Sequence, residues 1–321
     1  MPIIVNPGLV TPPTEPAPTA GPNPWLATDL LTLTWTGWTG ETWTVQGDTS
    51  SRAIMELEGR AGFGMPPVTH FFTESATLDG ATWDGYRVGA RPFDFPVFVT
   101  GASATEARAE QARFMATLRP DQQGTLTVAD PTGRRRFIDL RYMSGADEEF
   151  RSSTYGLYWF SHKLKMVAEQ PYYYGEPIPL TFVNDGNVNF YGGGVGTLAP
   201  LYYISNSQTL GNAVVTNPGD VDAWPVWKLY GPFSAATLTV GGAVIQFPVT
   251  VSAGQWIQID TRPKKQTIVD QAGGNRWGDA GQVTFAPIPY SASTQLSLSL
   301  ADTDEDTKVE VEFTPNFWRA W

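Results

Sequence analysis

The stretch from Arg91 to Tyr142 constrains the fold most, because only there does a helical pattern meet strand patterns on both sides. Phe93, Phe95, Val97 and Val99 alternate with Asp94, Pro96 and Phe98, so one strand face is continuously apolar. Pro96 brings no N–H to a ladder, which predicts an edge or a bulge at that point. Gly101 breaks the strand, and Ser103 followed by Glu106 reads as a capping box. The helix expected over Ser103 to Leu118 carries Ala104, Ala107, Phe114, Met115 and Leu118 near one stripe, and Pro120 stops it. Beyond Gly124, Leu126 and Val128 point one way and Thr125 and Thr127 the other. Asp130-Pro131-Thr132-Gly133 has Pro and Gly where a tight turn wants them. The return strand runs from Phe137 to Tyr142, with Ile138, Leu140 and Tyr142 on one face. Strand, helix and hairpin predict an α+β core whose sheet is covered by one helix.

The rest of the chain reads as β. Leu31, Leu33 and Trp35 give a first strand, and Trp38 and Trp43 flank a Gly-containing turn. Ile54, Met55 and Leu57 lead into a Gly-rich stretch ending at Met65-Pro66-Pro67. Val68 to Thr73 predicts a short strand, and Trp83-Asp84-Gly85-Tyr86 a turn. Gly145 to Ser153 reads as an acidic loop, and Tyr158 to Ala168 as a strand ending at Pro171 and Tyr172-Tyr173-Tyr174. From Pro177 to about Gly211, Asn and Gly dominate, and a domain junction is expected there. Short strand patterns follow at Val214-Val215, 226–230, 236–240, 244–251, 256–260, 267–269, 282–285, 295–300 and 309–313. Turn signals separate them, which predicts an all-β sandwich. The expected division is an arm at 1–24, an α+β domain at 25–176 and a β-sandwich at 177–321. Residues 2–24 hold eight prolines, an extended polyproline-type arm or a disordered tail.

A formal net charge of −11 argues against a duplex-DNA binder, which uses a basic face to neutralise phosphates. It is compatible with an acidic wall past which DNA slides. No cysteine is present, so thiolate chemistry and disulfides are absent. No apolar run approaches the ~20 residues of a membrane span, and no secretory signal pattern opens the sequence.

Chemistry-bearing patterns are sparse. His70 and His162 sit on strand patterns with no ligand or carboxylate motif beside them, and both read as structural. Asp302, Asp304 and Asp306 faintly resemble a calcium loop, but Thr307 stands where Gly is required and Phe313 where Glu is required. Gly192 to Thr197 lacks the Lys-Ser/Thr of a phosphate loop, and no Gly-x-Ser-x-Gly elbow occurs. Arg134-Arg135-Arg136 suits a partner's carboxylates or open water. Trp224, Trp227, Trp256 and Trp277 could form a sugar-stacking platform, with core packing as the alternative. No catalytic, metal or cofactor constellation emerges, and no enzymatic activity is expected.

In order, these features resemble the siphophage distal tail (minor tail) protein family. The match rests on Arg91–Val99, the Ser103–Leu118 helix, the Gly124–Val128 strand, the Asp130–Gly133 turn and Phe137–Tyr142. The ending Ala168-Glu-Gln-Pro-Tyr172 continues it. In the second half, Val215-Thr-Asn-Pro-Gly-Asp220, Leu229-Tyr-Gly231, Gln255–Asp260 and Phe313–Trp318 resemble the family's galectin-like domain. The Pro-rich arm and the long 177–211 junction have no counterpart in that pattern. The resemblance implies a mainly β virion protein of the tail tip, assembled in the host cytoplasm as a homo-hexameric ring. Such a ring joins the tail tube protein to the hub or tail-associated lysin and to fibre or receptor-binding proteins. DNA passes through its lumen without specific binding, with no membrane insertion and no cofactor. The acidic loop Asp147-Glu148-Glu149 is the lumen candidate, an ordinary solvated loop being the alternative. A lectin-like host-adsorption protein is the second reading, and a glycan-cutting enzyme with scattered carboxylates the third.

Overall fold

The computed structural model describes residues 31–46, 54–56, 59–77, 79–146, 159–184, 202–204 and 209–321. Its first half holds β1 (Thr32–Thr36), β2 (Thr42–Gln46), β3 (Ile54–Glu56), β4 (Val68–Glu74), β5 (Ala81–Val88) and β6 (Arg91–Thr100). The helix α1 (Ala104–Ala116), β7 (Gln123–Ala129), β8 (Arg135–Ser144), β9 (Trp159–Ala168) and β10 (Tyr173–Tyr174) complete it. The second half holds β11 (Ile178–Asn184), β12 (Tyr202–Ile204), β13 (Thr209–Thr216), β14 (Val226–Tyr230), β15 (Ala235–Val240) and β16 (Ala243–Phe247). It ends with β17 (Trp256–Asp260), β18 (Thr267–Asp270), β19 (Ser293–Ala301), β20 (Lys308–Phe313) and β21 (Asn316–Phe317).

The first sheet runs β2-β1-β7-β8-β9-β6-β3, with β10 and β21 added beside β8. Period-two alternation sends Leu33, Trp35, Phe93, Phe95, Val97, Leu126, Ile138 and Leu164 into one core. The sheet curls around that core: Cα atoms of β2 and β3, its two ends, come within 8 Å. Pro96 sits where its missing N–H costs nothing. The Asp94 carbonyl accepts from Ala61 N, and β3 covers only Val97 to Val99, so the Pro96 nitrogen faces the gap between them.

Among the described residues α1 is the one α-helix, and it lies against β6 and β9. Ser103 caps it, its hydroxyl accepting from Glu106 N at 3.1 Å. The Glu106 carboxylate accepts from Ala102 N at 2.9 Å, one residue before the cap, so the reciprocal box is displaced by one position. The fully buried stripe is Ala107, Gln111 and Phe114, whereas Met115 and Leu118 are half-buried. At its end the Thr117 hydroxyl donates to Phe114 O at 2.6 Å and accepts from Trp35 Nε1 at 3.0 Å. Gly37 permits this contact: a Cβ there would lie 2.4 Å from Thr117 Cβ.

The second half is a β-sandwich. One sheet runs β12-β11-β20-β14-β17-β18 and the other β13-β19-β15-β16. Phe182, Trp227, Leu229, Ile257, Ile259, Val309 and Val311 from the first meet Leu238, Val240, Phe247, Leu296 and Leu298 from the second in one core. The chain then returns to the first sheet. β21 pairs antiparallel with β10, Tyr173 opposite Phe317 and Tyr174 opposite Asn316. Ala320 N donates to Phe63 O at 3.0 Å, and Ala320 is buried in the first core. Residues 178–313 are therefore inserted between two neighbouring strands of the first sheet.

Three expectations are corrected. Trp83 to Tyr86 is not a turn but the middle of β5, with Gly85 at φ +150°. Gln282 to Phe285 forms no strand; Val283 makes one isolated bridge to Ile245. The stretch expected as a junction opens with β11, a full strand paired with β20 from Ile178↔Phe313 to Val183↔Lys308.

Candidate assembly surface

Among the described residues the β4–β5 hairpin pairs with no other strand and forms a sheet of its own. Its register shifts at Phe71/Phe72: Phe71 faces Gly85 and Phe72 faces Trp83, so Asp84 is the extra residue of a bulge. The Thr73 hydroxyl donates to Asp84 Oδ2 at 2.6 Å and holds the bulge. At its root Gly89 N donates to Pro67 O at 2.9 Å.

Cross-strand pairing brings His70 opposite Tyr86 and Phe72 opposite Trp83, which gathers four aromatic rings on one face. Trp83 and Tyr86 stack with centroids 6.2 Å apart, and Trp83 Nε1 donates to His70 Nδ1 at 3.2 Å. His70 thus belongs to an exposed aromatic cluster. Phe72, Trp83 and Tyr86 are 58%, 54% and 51% exposed, and Phe71 on the other face 49%. A lone two-stranded hairpin is marginal in water. Contiguous exposed aromatic surface of this kind is characteristic of interaction sites.

The root of the hairpin is held by Arg91, the first residue of β6 and only 1% exposed. Its guanidinium donates to four backbone carbonyls: Gly62 O at 2.7 Å, Gly64 O at 2.6 Å, Pro171 O at 2.7 Å and Trp318 O at 2.7 Å. It also lies 5.0 Å from the centre of the Tyr173 ring. Burial holds the Arg91 pKa below its ordinary value, and burial pushes the Tyr173 hydroxyl up. Gly62 serves this clamp at φ +103°, and a Cβ there would lie 2.7 Å from the Phe93 ring.

The other singled-out residues do not converge. Trp227 is 0% exposed in the sandwich core and presents no face to a sugar, which corrects that assignment. Trp256 lies on the opposite, outer face of the same sheet, with Lys228 Nζ 4.3 Å over its ring. Trp277 forms part of a 3-10 turn and meets Phe285 edge-on, while Trp224 is half-buried ahead of β14. Asp147, Glu148 and Glu149 lie outside the described residues, as does the arm before Leu31. His162 is buried, its Nε2 3.2 Å from Gln111 Nε2 on α1. Asp304 accepts from Asp306 N and forms a turn. No group of three or more His, Cys, Asp or Glu among the described residues could hold a metal.

A curled sheet, one α-helix among the described residues and an inserted β-sandwich define a two-part, mainly β architecture, and the fold is similar to that of a phage hub protein. The particular likeness is to the crystal structure of the Dit (gp 19.1) protein of phage SPP1, described as a paradigm of the hub adsorption apparatus in phages infecting Gram-positive bacteria. The TM-score is 0.57 at 13% identity, over 90% of this chain and 99% of that one. The phage P2 baseplate in its activated conformation with Ca contains a chain similar at TM-score 0.50 and 14% identity, over 89% of this chain and 98% of that one. No protein-family model matches the sequence, and no curated relative matches it.

Proposed function

We propose that the chain is a siphophage distal tail protein, a non-enzymatic structural subunit of the tail-tip ring. The observation that carries this reading is the free-standing hairpin with its uncovered aromatic face. Six copies close a ring when the hairpin of one packs on its neighbour, a heterologous contact that closes by rotation. Residues 25–176 together with 316–321 form the ring unit. The inserted sandwich, galectin-like in this reading, projects from it toward fibre or receptor-binding proteins. The ring sits in the virion between the tail tube protein and the hub or tail-associated lysin. DNA crosses the lumen, with Asp147, Glu148 and Glu149 on its wall. The fold shared with a phage hub protein over nine-tenths of the chain supports this reading.

The test is native mass spectrometry and negative-stain imaging of the full chain beside the double variant Phe72→Ser/Trp83→Ser. Both side chains are solvent-exposed, so the fold of each copy is retained. The parent is expected to give six-fold rings and the variant monomers. Rings of unchanged stability in the variant, or a parent that stays monomeric at high concentration, would overturn the reading.

A further inference from the structure

A cleft of about 440 Å³ opens beside the β7–β8 turn, between it and the returning C-terminal segment. Val128, Phe317 and Trp321 give it an apolar lining, and Arg134, Arg135 and Arg136 line its basic side. Trp321 is 52% exposed yet fixed in place, stacked on Phe63 with centroids 6.1 Å apart. The Arg136 guanidinium lies 3.8 Å over the Phe317 ring and donates to Arg319 O at 2.8 Å. Arg134 and Arg135 pair with Asp130 and Glu176, but their side chains remain 82% and 59% exposed. A guanidinium carries five N–H donors, so each can accept a further carboxylate without losing its present partner.

The first described residue, Leu31, lines this same cleft, so the preceding thirty residues are covalently joined to the chain at the cleft. Within them the sequence Pro12-Pro13-Thr14-Glu15-Pro16-Ala17-Pro18 spaces Pro13 and Pro16 as in polyproline ligands. Glu15 is the single acidic residue of residues 1–28. We propose that Pro12–Pro18 of this chain seats in the cleft as a polyproline II ligand, with its prolines on Trp321 and Phe317 and Glu15 on the arginines. A polyproline helix is already extended before it binds, so little conformational entropy is lost on docking. Charge agrees: in a chain of net charge −11, three consecutive arginines offer a complement to Glu15, which with Asp29 makes two acids in the thirty residues before Leu31. The thirteen residues from Pro18 to Leu31 reach at most roughly 45 Å. Gly21, Pro22 and Asn23 among them are residues that reverse a chain. The inference stands apart from ring assembly, since both partners lie in one copy.

Because the chain has no cysteine, disulfide trapping tests it directly. Thr14→Cys and Pro218→Cys, the latter exposed on the cleft wall, are introduced together into the full chain, and intrachain disulfide formation is followed by mass spectrometry. A second protein adds Pro12→Ser, Pro13→Ser, Pro16→Ser and Glu15→Arg, all in the arm, so the cleft and the fold are untouched. The unmodified arm is expected to close the disulfide about tenfold faster, as a docked segment raises the local thiol concentration above that of a free tether. Equal rates for the two arms would overturn the proposal. So would a disulfide formed only between chains, which would assign the arm to a neighbouring copy.

Discussion

Replacing Arg91 with Met keeps most of the apolar stem and removes every guanidinium donor. The four carbonyls it serves come from separated parts of the chain, Gly62, Gly64, Pro171 and Trp318. A buried carbonyl left without a donor costs about 1–3 kcal/mol. The Gly62 carbonyl keeps the Tyr173 hydroxyl, which donates to it at 3.3 Å, and the bonds to Gly62 and Gly64 are only part-buried, so the low end applies to them. The change also removes a buried charge that has no carboxylate among these partners, which offsets part of the loss. The carbonyls are backbone and cannot be removed with it, so destabilisation wins, at about 4 kcal/mol. For a unit of this size each kcal/mol lowers Tm by about 2–4 °C, giving a drop of roughly 8–16 °C. Arg91→Lys restores the charge but not the fork, and a compact ammonium cannot reach four separated carbonyls, so it recovers less than half. Thermal and urea unfolding measure the total, and hydrogen exchange at the Ala320 amide, which donates to Phe63 O, reports the C-terminal segment locally. A Met variant within about 1 kcal/mol of the parent, with Ala320 protection unchanged, would refute the clamp; that is the scatter of an ordinary substitution.

Excising residues 178–313 and joining the ends with a short Gly-Ser linker is expected to leave a folded first unit, because Ile178 and Phe313 are paired neighbours. Truncation after residue 176 removes β21 and Ala320 as well, and the prediction is a large loss of stability by circular dichroism for that version alone. Asp130 titrates at about 2, held down by the Thr132 hydroxyl and then by the Arg134 backbone and side chain. Its contribution is thus complete above the ordinary carboxylate pKa of 3.8 and disappears as pH falls through 2. NMR titration should place it there in the parent and higher in Thr132→Val. If the proposed ring carries Asp147, Glu148 and Glu149 on its lumen wall, changing them to lysine is expected to leave assembly intact and to slow genome ejection, most at low salt, because screening sets in beyond about 8 Å. Ejection kinetics identical to the parent at both salt concentrations would remove these residues from the lumen wall.

Strands whose pattern is local could be read directly: β14 and β17 begin and end at their sequence patterns, and β6 to β9 do so within a few residues. The helix and its Ser103 cap were equally legible, because capping is decided within one turn. Gln111 and Thr117 were not, since their burial depends on His162 and Trp35, far away in sequence. The β5 strand was masked by Trp-Asp-Gly-Tyr, where the glycine serves a bulge and not a turn. The aromatic face of His70, Phe72, Trp83 and Tyr86 has the same alternation a core strand has, so periodicity cannot tell a buried face from one awaiting a partner. The role of Arg91 carries no sequence signal, because its four carbonyls come from separated parts of the chain. The two-residue strands β10 and β21 carry no local signal, because they are defined by pairing with each other and, for β10, with β8.

That pairing has a mechanical side. The sandwich is attached by two antiparallel segments lying next to each other, joined at Ile178↔Phe313 on one side and Tyr174↔Asn316 on the other. A single covalent linker swivels freely; a paired ribbon resists torsion about its long axis. Force applied to the sandwich from outside is shared by both segments and delivered as torque to the edge of β8, where Tyr174 meets Phe137. The same load runs along the last residues to Trp318, whose carbonyl is held by Arg91. The guanidinium that roots the hairpin is therefore also the anchor against which the sandwich pulls.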